Sequence, residues 1–195
     1  MSCRDFFAGL PKAGEDAKKC AELIDNEFPD GFCQTESVSE LSPGSVSPDE
    51  FLHRFVFSPV HVDGEKIKTS FFSDCGGFGL SCQRGNSKDP DSSIHETGRK
   101  MIEEFNAANV PEKPERSYLG VVTAKSHNVR CLIPEGAEES PHEKEMMAVY
   151  DTALPGNVHH ADVFQITQGR NLTKSQAKQV RRDLALVFTK VPLMG

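Results

Sequence analysis

Between Phe51 and Ile166 the chain repeats one pattern: a short apolar run closed by a turn signal. FLHRFVFSPV at 51–60 is rich in Phe and Val and is stopped by Pro59. KIKTSFF at 66–72 follows Asp63-Gly64, a hairpin-type turn. SYLGVVTA at 117–124, VRCLI at 129–133, MAVYD at 147–151 and NVHHADVFQI at 157–166 complete the series. Runs of this length, aromatic or β-branched and bounded by Pro, Gly or Asp, predict strands. One stretch breaks the pattern. Ser93 and Glu96 form a capping box, and Ile94, Gly98, Met101, Ile102, Phe105 and Ala108 then fall on one helical face until Pro111 and Pro114.

Helical periodicity also brackets the series. Pro11 suits a first turn, and Ala13, Ala17, Cys20, Ala21 and Ile24 predict a helix over 11–28. Thr173 with Gln176 predicts a second capping box. The helix after it turns Ala177, Val180, Leu184, Val187 and Phe188 inward and its basic residues outward. No internal repeat is present. Helix, strands, helix, strands, helix is the order of an α+β fold, with a largely antiparallel sheet flanked by an N-terminal helix, a central helix and a C-terminal basic amphipathic helix.

Residues 34–49 hold five serines, two prolines and a glycine. They divide the chain into an N-terminal helical extension (1–33), a Ser/Pro-rich linker or loop (34–50) and one α+β domain (51–195). The glutamate-rich stretch at 134–145 reads as a solvated loop.

Apolar residues at 37% with 13 Phe exclude wholesale disorder. A chain of 195 residues can bury about 70% of its unfolded surface without a staple. The six cysteines have neither a disulfide rhythm nor metal-knuckle spacing, and no secretory h-region opens the chain, so thiols in a cytoplasmic setting are expected. No apolar run reaches the length of a membrane span. The formal charge of −7 argues against broad nucleic-acid coating. It is uneven: residues 170–195 carry Arg170, Lys174, Lys178, Arg181, Arg182 and Lys190 against Asp183, a local +5 that leaves −12 on residues 1–169. A local anionic site, and a partner for either surface, remain compatible with it.

Four groups of residues bear on chemistry. In PGNVHHAD at 155–162, strand alternation puts His160 and Asp162 on one side and His159 on the other. Such a set could act as acid and base with an orienting carboxylate, or as metal ligands. The H-x-E and later P-C-x-x-C of a zinc deaminase are missing, because no cysteine follows Cys131. In SFFSDCGGFGLSCQR at 70–84, the hydroxyls of Ser70 and Ser73 and the glycines could present donors to a phosphate, with Arg84 as a clamp. Neither a P-loop nor a Rossmann fingerprint occurs there. Arg54 and Arg130 lie in strand-like runs, where a guanidinium must be paired or face a cleft. Asp151, ending a run before Pro155-Gly156, is placed to cap the turn.

The succession S-F-F-S-D (70–74), G-L-S-C-Q-R (79–84), Y-L-G-V-V (118–122), V-R (129–130), V-Y-D-T (149–152) and P-G-N-V-H-H-A-D (155–162) resembles uncharacterised bacterial proteins. In these, a Ser-rich strand and a Leu-Ser pair precede a terminal N-P-x-H-A-[DE]-I block. The resemblance covers roughly residues 51–166. Val158 replaces the proline, and Asp162 supplies the acid. A bacterial origin and a role in defence or toxin loci are what the resemblance implies, with no activity or cofactor attached. The order Arg54, Ser70, Asp162 also resembles ADP-ribosyltransferases, although their usual acid is Glu.

Three functional expectations follow. One is an enzyme acting on a nucleotide or nucleic-acid phosphate, either ADP-ribosyltransferase-like or a metal-independent nuclease. Its catalytic groups would be His160, His159, Asp162 and Ser70, and its substrate-binding groups Arg54, Arg84, Arg130 and Ser73. The second is a non-catalytic accessory or immunity factor with an acidic surface for a protein partner. The third is a metal-dependent hydrolase using His159, His160 and an acid.

Overall fold

The computed structural model describes residues 1–12, 14–108, 113–134, 136–137, 145–167 and 172–190. In chain order the elements are α1 (Cys3–Ala8), α2 (Gly14–Ala17), α3 (Cys20–Glu27), β1 (Phe51–Ser58), β2 (Val62–Asp63), β3 (Lys66–Ile67), β4 (Leu80–Gly85), α4 (Ser92–Ala107), β5 (Ser117–Lys125), α5 (Ser126–Cys131), β6 (Met147–Tyr150), β7 (His160–Gln165), α6 (Lys174–Val187) and β8 (Thr189–Lys190). Two 3-10 helices, Phe32–Thr35 and Thr69–Gly76, are added to these.

The run at 51–58 becomes the middle of the sheet because both of its edges are used. β1 pairs antiparallel with β4 on one side and with β5 on the other. The six-stranded order is β6-β7-β4-β1-β5-β8, with every pairing antiparallel. Together with the helices this is the α+β architecture that the order of periodicities predicts. Asp63-Gly64 turns the separate β2–β3 hairpin, Gly64 lying at φ 59.

Alternation along the strands divides the core between two faces. Leu52, Val56, Leu80, Cys82, Val122, Val149, Ala161 and Val163 point to the first face. There they meet Phe71, Phe72 and Cys75 of the second 3-10 helix, Val129 of α5, and Val180, Leu184 and Val187 of α6. On the second face Ala148, Tyr150 and Phe164 pack against Cys3 and Phe7 of α1 and Cys20, Ala21 and Ile24 of α3. α4 covers that same face further along, at β5, its Gly98 lying so close to Tyr118 and Phe55 that an added Cβ would sit 2.5 and 3.0 Å from them. Between α3 and α4 the second face of β4 carries polar residues.

Several local expectations are corrected. KIKTSFF is a strand only at Lys66–Ile67, and from Thr69 it is a 3-10 helix. Phe71, Phe72 and Cys75 recur at helical rather than alternating spacing, and all three are buried. VRCLI is not a strand, because Val129–Cys131 end α5 and Leu132 follows at φ 55. That helix lets the Arg130 guanidinium reach Ser126 Oγ, four residues back, at 2.8 Å. The helix over 11–28 is broken at Lys18–Lys19 into α2 and α3, and α1 precedes it. α4 is capped by Asp91, whose carboxylate accepts from Ile94 N at 3.1 Å, in place of the Ser93–Glu96 box. Its Met101 is exposed at 45%.

Segment 34–49 contains buried anchors, Val38 and Val46. Asp151 does not cap its own turn: it accepts from Ser37 Oγ at 2.6 Å and Val38 N at 2.9 Å. Cys3 and Cys33 form a disulfide, contrary to the expectation of thiols throughout. Cys20, Cys75 and Cys82 are buried thiols. Among the described residues no helix is long and apolar enough to cross a membrane. Most of the glutamate-rich stretch at 134–145 lies outside the described residues.

Candidate active site

β4 and β7 pair so that Ser81 faces Asp162 and Gln83 faces His160. All four side chains therefore project from the second face, with His160 diagonal to Ser81. Ser81 is exposed, whereas the His160 and Asp162 side chains are only 12% and 16% exposed. Ser81 Oγ lies 2.7 Å from His160 Nε2. The other ring nitrogen, Nδ1, lies 2.9 Å from the Thr152 carbonyl oxygen and 3.1 Å from Thr152 Oγ1. A carbonyl oxygen can only accept, so Nδ1 carries the proton. In the neutral ring Nε2 then presents its lone pair to Ser81, whose hydroxyl donates to it. That is the tautomer a general base requires.

Thr152 has a second task. Its hydroxyl donates to Asp162 Oδ2 at 2.8 Å, while Asp162 Oδ1 stands 3.9 Å from His160 Nε2. Burial pushes the Asp162 carboxyl up, and His160 and the Thr152 hydrogen bond pull it back. Next along the sheet, Gln83 and Asn157 exchange reciprocal amide hydrogen bonds at 2.9 and 3.0 Å, which fixes the loop before β7.

The arginines stand behind this site and do not line it. Arg54 is on the first face, where Nη1 donates to the Ser81 carbonyl at 2.9 Å. Its Nη2 reaches the Phe71 carbonyl at 2.9 Å and Asp74 at 3.1 Å. Arg84 forks onto Glu50 at 2.8 and 2.9 Å and binds Ser42 Oγ and the Gly44 and Ser45 carbonyls. Arg130 is buried against Gln34, Ser126 and the Val46 carbonyl. The three expected phosphate ligands thus act as separate internal clamps. Ser70 and Ser73 are exposed on the 3-10 helix over the first face, joined by a Ser73 Oγ–Ser70 carbonyl bond of 2.7 Å. His159 is exposed in the turn before β7, and its carbonyl accepts from Arg84 N.

Of the residues named from the sequence, the structure brings together His160 and Asp162, and it adds Ser81 and Thr152. The glycine turn before β4 does make a close approach. Gly79 has φ 96, and a Cβ there would fall 2.6 Å from the Phe164 ring. Ser81 lies within the G-L-S-C-Q-R block at 79–84, but only the β4–β7 register shows which histidine it meets. Among the described residues no group of three His, Cys, Asp or Glu side chains is arranged to hold a metal ion.

A cleft of about 490 Å³ opens beyond Gln83, where β1 and β4 meet the start of α4. The chain matches no protein-family model, no curated protein and no solved structure.

Proposed function

We propose that this chain is an enzyme in which His160 takes the proton of Ser81 as Ser81 Oγ attacks an electrophilic centre. The observation that carries the reading is the 2.7 Å Ser81–His160 contact, with the ring's other nitrogen directed at a carbonyl. Thr152 and Asp162 are positioning residues: one orients the imidazole, and the other stabilises the charge it acquires. Arg54 holds the Ser81 backbone from behind.

An acyl centre is better supported than a nucleotide phosphate. The arginines that would steady a phosphate are engaged inside the fold, and the acid beside the reacting pair is Asp162, 3.9 Å from His160 Nε2. Bacterial origin and a defence or toxin role rest on the sequence blocks alone. A cytoplasmic setting has the Cys3–Cys33 bridge against it.

A fluorophosphonate probe tests the pair directly. Ser81 Oγ would bond to phosphorus, fluoride would leave, and His160 would hold the proton. Labelling at Ser81 should be absent in Ser81→Ala and slowed about 100-fold or more in His160→Ala, the usual scale of general-base loss. Equal labelling of Ser81→Ala, or none in the wild type, would reject the nucleophile. Hydrolysis of a nucleotide in place of an ester would restore the phosphate reading.

A further inference from the structure

The cleft beyond Gln83 is separate from the Ser81 pair, and its chemistry differs from what the arginines in the sequence imply. Its lining includes Glu50, Gly85, Ser87 and Asp89, together with Asp91 and Ile94 at the start of α4. Its volume falls within the range of small-molecule sites.

The floor is His53. This ring is fully buried at 0% exposed. Its Nδ1 is 2.9 Å from Thr123 Oγ1, while Nε2 has no hydrogen-bond partner. Leaving a buried polar nitrogen unpaired costs about 1–3 kcal/mol. Nε2 lies against Gly85, where an added Cβ would be 2.6 Å away, so only glycine leaves it room. His53 Nε2 thus lies beside Gly85, and His53, Gly85 and Ser87 all line the cleft.

Charge selects the kind of ligand. Glu50, Asp89 and Asp91 line the cleft, and Arg84 is the one arginine or lysine among the lining residues. Arg84 is already matched by its fork onto Glu50. Asp91 is held as a carboxylate by hydrogen bonds from Ser93 and from Ile94 N. The start of α4 adds a partial positive charge of about half a unit. That offsets part of one carboxylate and leaves the cleft anionic.

We infer that this cleft binds a small organic cation, an ammonium- or amidinium-bearing molecule, through Asp89 and Asp91 above His53. The inference does not depend on Ser81 being a nucleophile.

Calorimetric titration of the full chain with agmatine, and separately with inorganic phosphate, tests it. Agmatine should bind and phosphate should not. The Asp89→Asn/Asp91→Asn double variant should bind agmatine at least about tenfold more weakly. Asn is as good a helix cap as Asp, so α4 is kept in that variant. Ser81→Ala should bind agmatine like the wild type, which separates this cleft from the nucleophile. In the wild type the His53 ring resonances should shift on addition of agmatine. Phosphate binding in preference to agmatine, no agmatine binding at about 10 mM, or unchanged affinity in the double variant would each overturn the inference.

Discussion

Three buried arginines hold this fold at points where the backbone would otherwise lack partners. Arg84 binds the 42–45 segment and Arg130 binds Val46, so both pin the connection that precedes β1. Buried histidines act through their neutrality. Burial lowers both His53 and His61 to about 4, against an ordinary value of about 6.5. Between those values the unfolded chain binds protons on these rings and the native chain does not. Stability therefore rises with pH across the window and is lost as pH falls from about 6.5 to about 4. His53, with no exposure, should account for on the order of 2–3 kcal/mol, and the half-buried His61 for less. Asp162 works in the opposite sense, because its raised carboxyl relieves the folded state when it is protonated. Urea midpoints measured from pH 7 to pH 4.5 should fall, and a flat profile would contradict the assignment. Burial pushes the Glu50 carboxyl up, but Arg84, the Ser47 N–H and Arg130 together outweigh it and leave it lowered, so it adds a further loss only in the carboxylate range.

At the scale of elements, caps and buried spacing decide what forms. α6 starts at Thr173 because its hydroxyl accepts from Gln176 N at 3.2 Å, while the Gln176 side chain accepts from Thr173 N at 2.9 Å. Thr173→Ala should cost about 1 kcal/mol, read as a lower thermal midpoint. The cost reaches the whole first-face core because α6 supplies Val180, Leu184 and Val187 to it. The same logic explains why 69–76 and 126–131 are helical. Two or three apolar residues in a row carry too little periodicity to distinguish a strand from a helical turn. In SFFSDC and SHNVRC the deciding contacts, Phe72 against Phe188 and Arg130 against Val46 and Gln34, are made with residues far away in sequence.

Across the whole molecule, the N-terminal helices are built into the sheet. They bury the second face of β6 and β7 through Phe7–Tyr150 contact at 4.7 Å and through Ile24. The Cys3–Cys33 bridge, spanning 30 residues, ties this layer together. The chain-entropy relation puts a loop of that size at about 3–4 kcal/mol. Cys3→Ser, or full reduction, should therefore lower the midpoint of denaturation by a corresponding amount. No change on reduction would mean that the bridge is not formed in solution.

The sequence by itself determined the α+β class, the Thr173–Gln176 cap and the alternation that puts His160 and Asp162 on one face. These depend on spacing within a few residues, and periodicity records it. Tertiary structure decided the rest. The 79-residue separation of Ser81 and His160 is closed only by the register of β4 against β7. The arginines became clamps because Glu50, Asp74, Gln34 and backbone carbonyls converge on them from other segments. The free energy of burying a charge depends on such partners, and no local pattern encodes where they will be.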